Sequence, residues 1–402
     1  IRGRPGRFRV PVALDRDRIE KGSVKMEFLT SSAGSILSAL PPFLLVLTIV
    51  VFFHELGHYL VGRWCGIKAD VFSVGFGREL FGRTDRHGTR WRLSLIPLGG
   101  YVKFRGDENA TSLPSGADRS DLTAAEREGS FPEAALWRRA ATVAAGPVAN
   151  FILAVAIFAV MFGINGRIVA DPVVAQVQPA SAAEAAGILP GDRFVAIDGV
   201  EGEIFDDVQR YVSVRPEVPI TVTLDRQGKI IDVTLTPQRT EIADRFGNKM
   251  EVGRIGVVTN NDAGNFRVRE YGPLEAVGEG VAQSWYIVTR TVDYIGNIIT
   301  GREKADQLGG PIRVAKYSKD MSTLGLGALI QLAAVLSVSI GFLNLMPIPM
   351  LDGGHLVFYA VEAVRGRPPG EVAQEWAYRF GLSVVLALML FATWNDVSML
   401  IG

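Results

Sequence analysis

The chain has 402 residues, a length that suits two or three folded units better than one simple domain. Apolar residues make up 48% and charged residues 21% of the chain, and the mean hydropathy is positive, a balance typical of proteins with membrane-embedded and soluble parts. The 42 basic side chains equal the 42 acidic ones, which excludes the bulk positive charge of a nucleic-acid-binding protein. The single cysteine, Cys65, excludes an internal disulfide and a cysteine-based metal site.

The first 25 residues are rich in arginine and contain no apolar stretch, so they do not form a signal peptide. We expect residues 1–25 to be a disordered extension that precedes a more natural start at Met26. Further on, four long apolar stretches predict membrane-spanning helices, although each stretch alone could also be a buried helix of a soluble core. These stretches lie at about 36–62, 141–163, 325–347 and 379–400.

Basic residues are concentrated in the first and third connections between the predicted spans. Arginine and lysine recur from Arg63 to Arg139 in the first connection, and Arg365, Arg367 and Arg379 follow the third span. By the positive-inside rule both connections face the cytoplasm. The long second connection and both chain ends then lie on the opposite side of the membrane.

The first connection contains a strand pattern. Apolar and polar residues alternate from Arg90 to Leu95, and Gly99-Gly100 interrupts the pattern before Tyr101–Phe104. Residues 90–104 therefore predict a β-hairpin. Residues 106–130 are small and polar, which predicts a loop.

The second connection divides into two parts. Residues 171–240 predict a compact strand-rich domain, with strands near 173–177 and 194–197 and a hairpin that turns at Gln227-Gly228. Residues 241–324 predict a linker and an amphipathic helix at about 270–300. Charged residues interrupt the apolar face of this helix, which favours a position near the membrane over a fifth span.

The pentapeptide His54-Glu55-Leu56-Gly57-His58 lies inside the first predicted span. Histidines four residues apart share one face of a helix, so their imidazoles converge on a single ion, while Glu55 reaches a water on that ion. The alternative is a pair of satisfied core histidines. Ionisable residues at membrane depth are costly, however, and this favours a zinc site in which Glu55 is the general base.

A catalytic zinc ion needs a third protein ligand, and Asp352 is the best candidate. It follows Pro347 and Pro349 at the end of the third predicted span, and the glycines after it permit an unusual backbone. Two alternatives stay open on this segment alone. Asp352 could instead cap the following helix, and His355 could be the ligand.

These motifs together resemble the site-2 protease family of intramembrane metalloproteases, in the bacterial branch that includes the sigma-E pathway protease. The resemblance covers nearly everything from Met26 to the end of the chain and is carried by five segments. They are HELGH at 54–58, GGYVKF at 99–104, GPVAN at 146–150, GPIRVAK at 310–316 and NLMPIPMLDGG at 344–354.

The resemblance implies that His54, His58 and Asp352 bind Zn²⁺ and that Glu55 is catalytic. It implies that Asn344 and Asn150 position the substrate, although each asparagine could instead make a hydrogen bond between packed helices. It further implies an endopeptidase of a bacterial inner membrane that cleaves single-span membrane proteins, such as anti-sigma factors or signal-peptide remnants. This cleavage would belong to regulated intramembrane proteolysis, in which zinc-bound water attacks the peptide.

Two further elements have counterparts in the family. The 90–104 hairpin resembles a membrane-associated β element whose edge could pair with an unwound substrate, and it could equally be purely structural. The segment from Ala186 to Asp192 resembles part of a PDZ domain, which would be periplasmic. Well-known members often carry two such domains, whereas this chain has room for one, which leaves a peptide-binding role open beside a size filter.

The predicted fold is a mainly α-helical membrane protein with about four transmembrane helices, a cytoplasmic β-hairpin and one periplasmic α+β domain. The protease core is expected in two parts, 26–170 and 325–402. The partners are the lipid bilayer and single-span protein substrates, with no nucleic acid and no prediction of oligomeric state. A non-catalytic scaffold would not need Glu55, and a zinc transporter would need acidic or histidine residues along several spans, whereas the centres of spans two and four have none.

Overall fold

The computed structural model describes residues 16–106, 128–202, 204–243, 249–259, 266–301, 305 and 308–401. The helices within these ranges are α1 (Arg16–Trp64), α2 (Leu136–Asn165), α3 (Ala182–Ala185), α4 (Phe205–Ser213), α5 (Pro273–Ile299), α6 (Pro311–Thr323), α7 (Leu326–Asn344), α8 (Asp352–Arg365) and α9 (Glu371–Ile401). The strands are β1 (Ala69–Thr84), β2 (Arg90–Phe104), β3 (Arg167–Ala170), β4 (Val174–Val177), β5 (Arg193–Ile197), β6 (Val200–Glu201), β7 (Ile220–Arg226), β8 (Lys229–Leu235), β9 (Gln238–Ala243), β10 (Lys249–Arg254), β11 (Val257–Thr259) and β12 (Phe266–Arg269).

Four helical stretches are long and apolar enough to cross a membrane, and they coincide with the four predicted apolar stretches. They are Leu37–Trp64 of α1, all of α2, all of α7 and Glu371–Met399 of α9. Large apolar side chains on these helices point away from the protein: Ile152 is 64% exposed and Leu390 is 69% exposed. Exposing such an apolar surface to water costs free energy, whereas exposing it to lipid does not. These faces are therefore suited to contact with a bilayer.

The helices α1 and α2 approach each other closely because small residues line their contact. A Cβ atom added to Gly57 would lie 2.3 Å from the carbonyl oxygen of Ala145, too close for any side chain. Small residues at such a crossing let two backbones pack directly in a membrane. Helix α2 also contacts α5, α7 and α8, so it is the central helix of the bundle.

The strands β1 and β2 form an antiparallel pair between the first two spans, and this corrects the predicted hairpin. Residues 90–104 form one continuous strand, and its partner is the segment 69–84, which the strand pattern did not reveal. Residues 71–74 pair with 100–103 on one side and with 90–93 on the other. The run 100–103 therefore lies at an edge of this sheet. The predicted loop at 106–130 falls mostly outside the described residues.

The part of the chain after β3 folds as a strand-rich unit with the sheet order β6-β5-β7-β8. Its core contains fully buried side chains from β5 and β7, among them Phe194, Val222 and Leu224. The hairpin of β7 and β8 turns at Gln227-Gly228 as predicted. The unit extends beyond the predicted boundary at residue 240, because β11 pairs with β4 and Ile255 is buried in the same core.

This unit is joined to the membrane helices by two strands and by α5. The strands β3 and β12, which follow α2 and precede α5, pair with each other along their whole length. Arg167 of β3 forms ion pairs with Asp206 of α4 and with Glu279 of α5, and Arg210 of α4 donates a hydrogen bond to Gln283. The predicted helix at 270–300 is present as α5, and it is not among the four membrane-capable helices.

The last helix, α9, is attached near both of its ends. Near its beginning, Gly381 packs against the backbone of Pro349, so closely that any side chain there would clash. Near its end, the buried carboxylate of Asp396 accepts hydrogen bonds from the backbone N–H groups of Gly310 and Arg313, where α6 begins. Of the expected N-terminal extension, residues 1–15 lie outside the described residues and residues 16–25 are helical.

Candidate metal centre

His54, His58 and Asp352 converge, and within the described ranges they are the only group of three such residues whose ligand atoms lie within 4.8 Å of one another. The Nε2 atoms of the two histidines are 3.2 Å apart. Asp352 Oδ2 lies 3.2 Å from His54 Nε2 and 3.5 Å from His58 Nε2. On a tetrahedral zinc ion with bonds of about 2.0–2.1 Å, two ligand atoms are about 3.3–3.4 Å apart. The three observed separations therefore fit the spacing that a shared zinc ion requires.

The hydrogen bonds around these side chains also fit a cation. His58 Nδ1 donates to the backbone carbonyl oxygen of Thr142 at 2.9 Å, which places the proton on Nδ1 and leaves Nε2 with a free lone pair. Asp352 Oδ2 is buried and accepts no hydrogen bond. Lone pairs of this kind, turned towards one another without a proton donor, are stabilised by a positive ion at their centre.

The position of Asp352 follows from the sequence between α7 and α8. Helix α7 ends at Asn344, and the chain turns back through two prolines before α8 begins at Asp352. Cβ atoms on Gly353 or Gly354 would lie 2.3–2.4 Å from carbonyl oxygens of the preceding turn. Only glycine fits at these two positions, so the glycines let the turn fold tightly and bring Asp352 to the histidines.

Gly146 shapes the other side of the centre. A Cβ atom at this residue of α2 would lie 2.2 Å from His58 Nε2, the nitrogen that faces His54 and Asp352. The missing side chain therefore provides the space that the His58 ring occupies. Together, Gly57 and Gly146 allow α1 to approach α2 closely enough for His58 to reach the backbone of Thr142.

Glu55 lies beside the three candidate ligands, on the side of the sheet edge. The backbone of Val102 lies near the Glu55 carboxylate. A Cβ atom added to Gly100 would lie 3.3 Å from Glu55 Cγ, so the strand passes directly over this side chain. The sheet edge at 100–103 is thus next to the one carboxylate of the pentapeptide.

The two asparagines named from the sequence have different surroundings. Asn150 is completely buried, and its Nδ2 lies 3.3 Å from His54 Nδ1. Asn344 is partly buried at the end of α7, where the carbonyl of the next residue, Leu345, packs against Gly353. Asn150 thus contacts a candidate ligand, while Asn344 lies close in the chain to the turn that carries Asp352.

His355, the alternative third ligand, does not belong to the group that converges. Its Nδ1 instead lies 3.3 Å from the hydroxyl oxygen of Tyr378 on α9. Tyr378 and Thr142 were not identified from the sequence. Thr142 contacts His58 only through its backbone carbonyl, which any residue could provide. Tyr378 lies 23 residues after His355 and belongs to no motif, so no local signal in the sequence indicated either residue.

Comparison with models of protein families gives a match over most of the chain. The sequence profile of Peptidase family M50 matches residues 42–388, which include all three candidate ligands and Glu55.

Several curated proteins are similar over nearly the whole chain. An Agrobacterium fabrum protein, named as an inferred zinc metalloprotease, is 60% identical over 94% of this chain and 100% of its own length. A Rhizobium meliloti protein with the same type of name is 62% identical over 90% of this chain and 97% of its own length. The Metalloprotease MmpA of Caulobacter vibrioides is 38% identical over 88% of this chain and 94% of its own length.

Proposed function

Because the chain belongs to Peptidase family M50 and is a zinc metalloprotease with four membrane-capable helices, we propose that it cleaves single-span membrane proteins within or near the bilayer. The observation that carries this proposal is the convergence of His54, His58 and Asp352 inside a bundle of apolar helices. Water-soluble substrates have no ready access to such a site, whereas a membrane-embedded segment reaches it through lipid.

We assign the metal to His54, His58 and Asp352, whose three converging ligand atoms would hold a zinc ion. A zinc ion held there supplies the Lewis acidity that makes water nucleophilic near neutral pH. Glu55 then accepts the proton of the attacking water as the oxygen bonds to the scissile carbonyl carbon. The same carboxyl group delivers that proton to the departing amide nitrogen when the C–N bond breaks.

We assign substrate binding to the sheet edge at residues 100–103, which lies beside Glu55. A helix in lipid has its carbonyl groups hydrogen-bonded, so it must unwind before water can attack. An unwound segment that added to the edge at 100–103 would gain backbone hydrogen bonds and would lie next to Glu55. We assign Asn344, close in sequence to the turn that carries Asp352, to holding this extended substrate.

The unit between β4 and β11 is proposed to be a single PDZ domain. Its Ala186–Asp192 segment is closed by Asp192, whose buried carboxylate accepts two hydrogen bonds from Arg226 and one from the N–H of Leu189. The Arg226 guanidinium holds the pKa of the Asp192 carboxyl below its usual range, although burial opposes this effect. By the positive-inside rule we place the domain in the periplasm, with β1 and β2 in the cytoplasm of a bacterium.

The decisive test compares the purified protein with Glu55→Gln in liposomes that contain a labelled single-span substrate. We expect Glu55→Gln to retain one zinc ion per chain and to lose about 10²–10⁴-fold in cleavage rate, the usual contribution of a general base. The matched control is Glu375→Gln, which changes an exposed glutamate paired with Arg379 on α9.

Three results would refute parts of the proposal. Cleavage by Glu55→Gln at the native rate would remove Glu55 from the mechanism. A native protein that contains no zinc would refute the metal site. Equal cleavage of an unfolded soluble protein and of the single-span substrate would refute the substrate class.

A further inference from the structure

The side-chain amide of Asn150 is buried, and its hydrogen-bonding capacity is not fully used. This α2 residue is 0% exposed, and its Nδ2 lies 3.3 Å from His54 Nδ1. Its other amide atom, Oδ1, has no hydrogen-bond partner. Buried polar atoms are nearly always paired, so an unpaired amide oxygen next to a candidate ligand needs an explanation.

The position of the proton on the His54 ring explains the unpaired amide oxygen of Asn150. If Nε2 of this ring binds a metal, the single proton of the neutral imidazole lies on Nδ1, which must then donate a hydrogen bond. The NH₂ group of an amide cannot accept one. Rotating the Asn150 amide by half a turn exchanges Oδ1 and Nδ2, which gives His54 an acceptor and gives Oδ1 a partner.

The second histidine shows the same arrangement already in place. His58 Nδ1 donates to the carbonyl oxygen of Thr142, eight residues before Asn150 on the same helix. Asn150 is itself held, because Ser337 of α7 donates a hydrogen bond to its backbone carbonyl. With the Asn150 amide rotated, one helix would present an acceptor to the outer nitrogen of each candidate ligand histidine.

We propose that Asn150 is a positioning residue of the metal centre, whose Oδ1 accepts the Nδ1–H of His54 and so turns Nε2 towards the metal. The inference rests on the zinc site proposed above. It gives Asn150 a different role from the contact with substrate that the family resemblance implies. Such outer hydrogen bonds set the tautomer and the ring orientation of a ligand histidine.

The test uses two substitutions of Asn150 that keep its approximate size but differ in hydrogen bonding. Asn150→Asp can only accept, so we expect it to bind zinc within about threefold of the native affinity or more tightly. Asn150→Leu cannot accept, so we expect its zinc affinity to fall about 10–100-fold. Zinc affinity is measured by competition with a chelator, and the absorption spectrum of the cobalt-substituted protein reports ligand geometry independently of activity.

Ser337→Ala is the matched control, because it removes the other hydrogen bond of Asn150 and leaves His54 untouched. We expect it to bind zinc with native affinity. A loss of affinity as large as that of Asn150→Leu would show that packing between α2 and α7, and not the contact with His54, matters.

Two results with the variants would overturn the inference. Zinc binding by Asn150→Asp as weak as by Asn150→Leu would show that Asn150 donates or only packs. Native affinity in Asn150→Leu would show that it has no role at the metal.

Should Asn150→Leu fail to fold, ¹⁵N-histidine NMR of the native zinc-loaded protein tests the inference instead. The chain has only four histidines, so the signals of His54 can be assigned. An unprotonated Nδ1 on His54, or a protonated one whose proton has the chemical shift and fast exchange of an unbonded N–H, refutes the inference, and a slowly exchanging, hydrogen-bonded Nδ1–H supports it. Absence of zinc from the native protein would refute the proposed metal site, whereas zinc-loaded native protein with unaffected variants would refute this inference alone.

Discussion

The Nε2 atom of His58, which faces His54 and Asp352, lies against the backbone of α2, and it can do so because residue 146 has no side chain. We therefore expect Gly146→Ala to weaken zinc binding by about 100-fold or more, since displacing a ligand costs at least as much as losing one of its hydrogen-bond partners. Proteolysis should fall in parallel. The measurement is zinc content after dialysis against a graded chelator series.

A second glycine on α2 provides the control. A Cβ atom at Gly163 would lie 3.6 Å from the Cβ atom of Ala276, an ordinary contact. Gly163→Ala should retain zinc and gain up to about 1 kcal/mol of stability from its higher helix propensity. Equal loss of zinc from both variants would mean that alanine disturbs α2 in general and does not act on His58.

At this scale the convergence of the three candidate ligands was predictable, and the contacts that hold their rings in place were not. The spacing of His54 and His58 and the motif around Asp352 are local patterns, so the sequence alone pointed to these three residues. The acceptor of His58 is the carbonyl of Thr142, 84 residues away, and a backbone oxygen has no sequence signature. The need for glycine at 146 likewise became visible only when α1 and α2 were packed together.

Among the elements, the sheet of β1 and β2 is fastened to α1 through Asp85. Its carboxylate accepts hydrogen bonds from the Tyr59 hydroxyl and from Trp91 Nε1, and Tyr59 directly follows His58. Because this sheet edge lies over Glu55, we expect Asp85→Ala to cost about 1–2 kcal/mol of local stability and to lower proteolysis several-fold. Zinc content should stay native.

Hydrogen exchange of the Thr89 amide, which donates to Asp85, reports the opening of this turn. Asp232→Ala is a control at an exposed residue of β8 in the strand-rich unit and should change neither exchange at Thr89 nor proteolysis. Unchanged exchange and full activity in Asp85→Ala would contradict the role of this residue in holding the sheet.

The same carboxylate gives the sheet a pH dependence. Burial alone would raise the pKa of Asp85, but hydrogen bonds from Trp91, His87, Thr89 and Tyr59 outweigh this effect and lower it to about 2. In the unfolded chain the pKa is about 3.9. The stabilisation is therefore fully present above pH of about 4 and is lost as the pH falls from about 4 to about 2. Exchange at Thr89 should rise over this interval in the native protein and not in Asp85→Asn.

The two strands of this sheet differed in how well the sequence predicted them. Residues 90–95 alternate regularly, so β2 was visible. Glycines interrupt the partner strand, and Gly75 and Gly77 have φ angles of 89° and 85°, which breaks the two-residue period. The irregular pairing of β1 is therefore a property of the folded sheet that no periodicity could indicate.

For the whole molecule, a zinc ion at the proposed ligands joins the first span to the segment after the third. Metal that binds only the folded protein stabilises it by about 2.7 kcal/mol at 100 times the dissociation constant. We expect chelation to lower the thermal unfolding temperature of the native protein and to leave His58→Gln unaffected. The measurement is thermal unfolding in detergent with and without chelator.

His87→Gln is the matched histidine control, because His87 is exposed in the turn of the β1–β2 sheet. It should respond to chelator like the native protein. A native protein whose unfolding temperature does not change with chelator would contradict a zinc ion that links the spans.

The sequence predicted the number and order of the spans and the strand-rich unit, because long apolar stretches and alternating strands are local patterns. It did not predict how that unit is attached. The pairing of β3 with β12 joins residues that lie about 100 positions apart in the chain. The ion pairs of Arg167 depend on the positions of α4 and α5 in the folded protein. Such contacts follow from the packing of elements and have no local signature.

The long separation between the ligands in the chain has a consequence for biosynthesis. His54 and His58 enter the membrane early, whereas Asp352 is made about 300 residues later, after roughly 15–60 s at usual rates of elongation. During this interval the nascent chain has two of the three proposed ligands and cannot form the complete metal centre proposed above. A ribosome-bound protease therefore stays inert beside other newly inserted membrane proteins until its last two helices emerge.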